Sequence, residues 1–186
     1  MFIIGESGGS GSPGRWAQKF TWFLRGRFTW RRKVATSEDE MRRLEESEVV
    51  AYVKEFLERD GWQEASPEIS PFQRDIVFVK GGEKYVIEAK GETKGGETHN
   101  IEVVIGQIVA RMREGEKNVH YGIAIPYPYA RFLSKFGLEG LRALNLHLFI
   151  VARIGWVWHL IPERVLAYVK ELRKGMDEPD LLSSPP

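Results

Sequence analysis

The chain contains no cysteine among its 186 residues, which excludes disulfides, thiolate zinc sites and cysteine nucleophiles. It contains no apolar run approaching the ~18 residues of a membrane-spanning helix. The opening Met1-Phe2-Ile3-Ile4 is too short for a signal-peptide core and leads directly into the Gly/Ser/Pro-rich residues 5–14. No membrane partner is expected, and a cytoplasmic location is the default. The glycines of 5–14 are not followed by Lys-Ser or Lys-Thr, so they do not form a phosphate-binding loop. A Gly-x-Ser-x-Gly elbow is missing too, which removes the Ser/His/Asp hydrolase reading. Histidine is scarce: His99, His120, His147 and His159 are scattered, with no pair at i, i+4 spacing. Each reads as a core-edge or loop residue, and His99 is placed in a loop near the candidate site described below.

What remains is an ordinary globular composition, 42% hydrophobic and 28% charged, in a chain long enough to bury one core with appendages. The net charge of +1 conceals an asymmetry. Residues 1–36 carry seven basic residues (Arg15, Lys19, Arg25, Arg27, Arg31, Arg32 and Lys33) and one acid, Glu6, giving +6, while the other 20 basic and 25 acidic residues give −5. A basic arm on a mildly acidic body suits a polyanionic partner for the arm alone. The arm interleaves its charges with Trp16, Trp22 and Trp30, and "KFTWFLRGRFTWRRK" reads as a short hairpin turning at Arg25-Gly26. Its aromatics could stack on bases or pack on the body or on a second subunit.

Three segments follow from this: a linker and basic aromatic arm over 1–36, a folded domain over 37–174, and a flexible tail over 175–186. Within the domain, Ser37 and Glu40 form a capping-box pattern for a helix over about 38–60, ended by Gly61. Two strands near 74–80 and 83–90 flank Gly81-Gly82. The polar loop "GETKGGETHN" precedes a second helix, marked by Ile101, Val104, Ile105, Ile108 and Met112 and extending to about Gly115. A strand, "VHYGIAI", ends at "PYPY", and helical pattern resumes over about 129–144. "LHLFIVA" and "GWVWHLI" read as two further strands around Gly155, before a last helix from Pro162 to about Lys174. The alternation specifies an α/β fold with a mixed central sheet flanked by helices.

The stretch "RDIVFVKGGEKYVIEAK" carries the chemistry. If Gly81-Gly82 is a two-residue turn, each cross-strand pair sums to 163, so that Asp75 faces Glu88. Lys90, two residues on, projects from the same face, as do Val77, Val79 and Val86. Ile76, Phe78, Ile87 and Ala89 fill the other face. Opposed side chains have β-carbons roughly 5 Å apart, and like charges so close are destabilising. Either one carboxylate is protonated or a cation lies between them. A solvated ladder could account for Glu88 and Lys90, but a surface ladder would alternate its signs. Oxygen donors at this spacing suit Mg2+ or Mn2+, ions that neutralise a phosphate and activate a water.

These residues resemble the PD-(D/E)XK nuclease superfamily, whose fold is called restriction-endonuclease-like. The matching pieces are Asp75, the Glu88-Ala89-Lys90 triplet, Glu48 in the preceding helix and Gln107 in the following one, across about residues 44–125. Arg74 rather than proline precedes Asp75, and Arg111 stands where some branches carry tyrosine. The resemblance implies an α-β-β-β-α-β core, with one strand within 62–72, and Mg2+- or Mn2+-dependent hydrolysis of DNA phosphodiesters. Asp75 and Glu88 would hold the metal, with Glu48 directly or through water. Lys90 would orient or deprotonate the attacking water or stabilise the phosphate. Gln107 and Arg111, four apart on one helix face, would contact the lysine or the scissile phosphate. Cutting a duplex favours a homodimer. The alternative is a non-catalytic nucleic-acid-binding or assembly protein with the same fold, and an RNA-directed nuclease is a third reading.

Overall fold

The computed structural model describes residues 42–65, 76–113 and 115–175. The arm, with Arg15, Lys19, Arg25, Arg27, Arg31, Arg32 and Lys33, the Ser37/Glu40 capping pattern, Asp75 and residues 176–186 lie outside the described residues.

In chain order the elements are α1 (Glu46–Arg59), β1 (Gln63–Glu64), β2 (Ile76–Lys80), β3 (Glu83–Ala89), α2 (Glu97–Arg111) and β4 (Val119–Pro126). They continue as α3 (Tyr127–Ala130), a 3-10 turn (Arg131–Lys135), α4 (Leu138–Leu144), β5 (His147–Val151), β6 (Val157–Leu160) and α5 (Pro162–Arg173). The six strands form one mixed sheet in sequence order. β1, β2 and β3 are antiparallel, β3, β4 and β5 are parallel, and β6 returns antiparallel. β1 occupies the region where the sequence called for an extra strand.

The hairpin has the register read from the sequence. Lys80 pairs with Glu83 and Ile76 with Ile87. Gly81 and Gly82 both take positive φ, 58° and 88°, the left-handed pair that a tight two-residue turn requires. The alternation sorts the strands between two cores. Ile76, Phe78, Tyr85, Ile87 and Ala89 pack with Val49, Val53 and Leu57 of α1. Val86 turns the other way and packs with Ile101, Val104 and Ile108 of α2. The same second core takes in Leu148 and Ile150 of β5 and Val165 and Val169 of α5. α1 therefore covers one face, and the later helices cover the other. Each fully buried side chain of this kind contributes about 1.5–3 kcal/mol.

Helix boundaries depart from the sequence reading for local reasons. α1 starts at Glu46, not near residue 38. Glu45 and Glu48 form a reciprocal capping box there, and the preceding Leu44 is drawn out of helical geometry by its carbonyl, which accepts a hydrogen bond from the Glu92 amide at 2.7 Å. Its C-terminus is the expected one: Gly61, at φ +83°, lets the Trp62 amide reach the Leu57 carbonyl and its own amide reach Glu58, a Schellman closure. α2 begins at Glu97, inside the stretch read as loop, and stops at Arg111. The helix expected over 129–144 is three short pieces, interrupted where Phe136 is extended at ψ 141° and Gly137 caps α4.

One backbone approach sets the positions of the pieces that matter below. A β-carbon on Gly91 would lie 2.3 Å from the Glu46 nitrogen and 2.8 Å from the Glu45 carbonyl carbon. The chain leaving β3 thus lies directly against the N-terminus of α1, a contact only glycine permits. Gly91→Ala is expected to cost about 1–3 kcal/mol by overpacking. Chemical denaturation checks this, and a variant as stable as the parent would contradict it.

Candidate functional site

Glu88 sits near the end of β3 on the face that α2 covers, and only 3% of it is exposed. A carboxylate so far from water needs compensating charge. Two cations supply it. Arg111, at the last turn of α2, places Nη2 3.1 Å from Glu88 Oε2. Lys90, just past the strand, places Nζ 3.9 Å from Glu88 Oε1. Arg111 is itself anchored, because its Nη1 donates to the Gln107 carbonyl at 2.9 Å. The Gln107 side-chain oxygen, one turn back on the same helix, is buried with no hydrogen-bond partner among the described residues. An unsatisfied buried acceptor costs about 1–3 kcal/mol, so it marks a place where a donor or cation belongs.

The same lysine reaches across to α1. Lys90 Nζ donates to Glu46 Oε2 at 3.3 Å, giving an alternating row of Glu46, Lys90, Glu88 and Arg111. Glu46, not Glu48, is the α1 glutamate that meets the lysine. Glu48 accepts the Glu45 amide at 3.0 Å and forms an ion pair with Arg42. Two residues on one helix are separated by roughly 200° around the axis, so both could not face the end of β3. The sequence placed the glutamate correctly on the helix but not at the right position. The missing information was tertiary: Gly91 brings the first turn of α1, and therefore Glu46, against the lysine.

The loop after β3 is secured on three sides. The Lys90 amide donates to the Ala124 carbonyl of β4 at 2.9 Å. Glu92, whose side chain is 7% exposed, pairs with Arg153 of the β5–β6 turn at 2.8 Å. The Thr93 amide donates to the Tyr129 hydroxyl at 2.7 Å. Lys90 is therefore held at the carboxyl ends of parallel strands, where α/β sheets commonly place ligands.

Of the residues singled out in the sequence, Glu88, Lys90 and Arg111 come together, Gln107 meets Arg111 through its main-chain carbonyl, and Glu48 stands apart. Asp75 lies outside the described residues. His99 is exposed in the first turn of α2, not in a loop. Among the described residues no group of three or more His, Asp or Glu side chains is arranged to hold a metal. The all-oxygen character of Glu88 and the orphaned Gln107 oxygen nevertheless fit a hard cation, which binds through one or two carboxylates and keeps several waters.

The other three histidines are not scattered. His147 of β5 and His159 of β6 bring Nδ1 and Nε2 within 2.9 Å, and the Tyr85 hydroxyl of β3 lies 3.1 Å from the same His147 nitrogen. The His120 ring lies 5.1 Å from those of Tyr85 and His147, and His159 stacks on Phe149 at 4.5 Å. Sequence spacing missed this cluster because it is assembled across four strands rather than along one helix. Burial, reinforced by His159 and His120, pushes His147 down to about 3. Burial pushes His159 down to about 4, against the opposing pull of Asp60. Burial together with Glu83 and Asp60 raises the Tyr85 phenol to about 12.

Comparison with protein-family models finds no match, and comparison with curated proteins finds none either. Two solved structures show a likeness in chain path. An FdxN element excision controlling factor protein from Anabaena variabilis is 19% identical, with a TM-score of 0.46 over 61% of this chain and 95% of that one. An XisH family protein from Nostoc punctiforme is 20% identical, with a TM-score of 0.44 over 61% of this chain and 98% of that one. At a TM-score below 0.5 neither likeness assigns a fold family or an activity to this chain.

The histidine cluster predicts an acid limit on stability. Above about pH 6.5 both rings are neutral folded or unfolded, and their contribution is complete. As pH falls towards 4 and then 3 the unfolded chain takes up protons that the fold refuses, so stability drops by up to about 1.4 kcal/mol per pH unit for each ring. His159→Phe removes one ring and should flatten the dependence of the urea midpoint on pH between 7 and 4.5. Parallel curves for variant and parent would contradict this origin.

Proposed function

We propose that the protein is a metal-dependent phosphodiester hydrolase acting on DNA, with its site at the carboxyl end of β3. The observation that carries the reading is the buried Glu88 carboxylate beside the Lys90 ammonium, with the unsatisfied Gln107 oxygen on the neighbouring helix. Glu88 and Gln107 would hold Mg2+ or Mn2+, together with Asp75 as the sequence resemblance implies. The bound ion would supply charge neutralisation at the phosphate and an activated water.

The chain's own residues do the rest. Lys90 Nζ is fixed between Glu46 Oε2 and Glu88 Oε1, beside the carboxylate that would hold the ion. There it would orient the attacking water, take its proton, or stabilise charge on the phosphate. Glu46 keeps the ammonium from folding back entirely onto Glu88, a positioning role. The hydrocarbon walls around Glu88, supplied by Val86 and the α2 residues, exclude bulk water and strengthen every charge interaction inside.

A second reading is a nucleic-acid-binding or assembly protein without turnover. One observation favours it: Glu88 already has Arg111 as its counter-ion, so the row of charges is self-sufficient without a metal. A panel of labelled single-stranded, duplex and branched DNA and of RNA, incubated with Mg2+ or Mn2+, decides between them. Hydrolysis is expected to require the divalent ion and to fall by at least about 100-fold in Glu88→Gln and in Lys90→Met. Retained cutting by Glu88→Gln overturns the site. Binding without cutting on every substrate and metal establishes the second reading.

The +6 arm is part of the same proposal, as the grip on the DNA backbone. Deleting residues 1–33 is expected to weaken DNA affinity and to flatten its salt dependence, because fewer counterions are released. An unchanged salt slope would assign the arm to folding or to a homodimer contact.

A further inference from the structure

The two edges of the sheet are built differently. β1 is two residues long, Gln63 and Glu64, both exposed. A short edge strand carrying an acid discourages a further strand from pairing with it. β6 bounds the other side. From Gly155 to Ile161 the chain reads Gly-Trp-Val-Trp-His-Leu-Ile, with no Lys, Arg, Asp, Glu or Pro to protect that edge. Five large apolar side chains are exposed among the described residues, and three of them, Ile154, Trp156 and Ile161, lie within eight residues around this strand. Trp156 also packs edge-on against Trp158, with ring centroids 6.2 Å apart.

One hydrogen bond fixes where the backbone groups of β6 point. The Ala152 amide donates to the Trp156 carbonyl at 2.8 Å, and the antiparallel register runs on through Val151–Val157, Ile150–Trp158, Phe149–His159 and Leu148–Leu160. Hydrogen-bonded and non-hydrogen-bonded pairs alternate in such a ladder, so Trp156, Trp158 and Leu160 direct their N–H and C=O groups to β5. Val157 and His159 direct theirs outward, the pattern that an added antiparallel strand engages. A two-fold axis through Trp158 makes that strand β6 of a second copy. It sets Val157 of each copy against His159 of the other, to exchange both backbone hydrogen bonds, and Trp158 against itself. The flanks agree: Arg153 precedes the strand and Glu163 follows it. Antiparallel self-pairing therefore brings the basic end of each copy towards the acidic end of the other. The strand itself offers no cation to a phosphate backbone, which binds through Lys and Arg.

We propose that β6 is a dimer seam: two copies of this chain pair their β6 strands antiparallel about a two-fold axis at Trp158, joining both sheets into one. The pairing covers an apolar edge that would otherwise be a template for aggregation, and it buries Trp156 and Ile161 beside the seam. The contact is isologous, the same patch on both copies, so it closes on itself. With β1 protecting the far edge, association stops at two. The inference stands apart from the hydrolase reading, because a dimer without turnover satisfies it equally.

Sedimentation equilibrium of the full-length protein is the test. The parent is expected to be a dimer that dissociates on dilution. Val157→Pro removes an outward N–H that β5 does not use, and Trp156→Lys places a cation on the edge. Each should raise the dissociation constant at least about ten-fold while leaving the circular dichroism spectrum unchanged. The chain has no cysteine, so Trp158→Cys puts a single thiol on the two-fold axis. Opposed residues of a non-hydrogen-bonded pair have α-carbons about 4.5 Å apart, within disulfide reach. That variant should oxidise to a covalent dimer when native and not in urea, and it decides the matter if the other two fail to fold. A parent that stays monomeric over its whole soluble range overturns the proposal. Parental affinity in both folded variants, or, where neither folds, no disulfide in Trp158→Cys, puts the interface elsewhere and overturns it too.

Discussion

A carboxylate buried on a β-strand is the constraint around which the rest of this site is organised. Glu88 has 3% of its surface exposed, and an ion taken that far from water without a partner is strongly destabilising. Breaking a buried pair by removing one member typically costs about 3–5 kcal/mol. The sequence places cations on both sides of it for that reason, one just past the strand and one on the helix packed above. A valine at this position would satisfy the core at no such cost. Retaining a charge there makes chemical sense if the charge has work to do.

Placing a lysine beside that carboxylate depends on an architecture that is not local. The chain after β3 is pinned to α1 by the Gly91 approach and by the Leu44–Glu92 hydrogen bond, to β4 by the Lys90 amide, and to the β5–β6 turn by Glu92 and Arg153. Preorganisation of this kind is what a site needs in order to hold a reactive geometry without reorganising during the reaction. It also explains why the α1 glutamate that matters is the one in the first turn. The second polar centre, around His147, His159 and Tyr85, lies on the opposite face of the sheet and has a different consequence, a lower acid limit to the fold.

Much of this was legible in the residues. The glycine pair fixed the hairpin register, and alternation then assigned Phe78 and Ile87 to one face and Val86 and Glu88 to the other. The 3.6-residue period put Gln107 and Arg111 on one side of α2. Strand and helix order followed from pattern and turn residues. What was not legible depends on contacts distant in sequence. The start of α1 is set by the Glu92 amide, forty-eight residues downstream of the Leu44 carbonyl that it meets. The choice of Glu46 over Glu48 is set by the helix phase that follows from that start. The histidine cluster is set by the stacking of four strands. A capping pattern at Ser37 and Glu40 pointed to an earlier helix start, whereas the helix begins at Glu46 behind the Glu45/Glu48 box. No helix among the described residues is long and apolar enough to cross a membrane.

The central claim is that Glu88 anchors a hard divalent cation. The most direct measurement is a crystal soaked in Mn2+ and examined for anomalous scattering at the manganese edge. The account predicts a peak within direct-coordination distance of a Glu88 oxygen. Occupied manganese sites elsewhere, with Glu88 still bound to Arg111 and no peak beside it, would contradict the account.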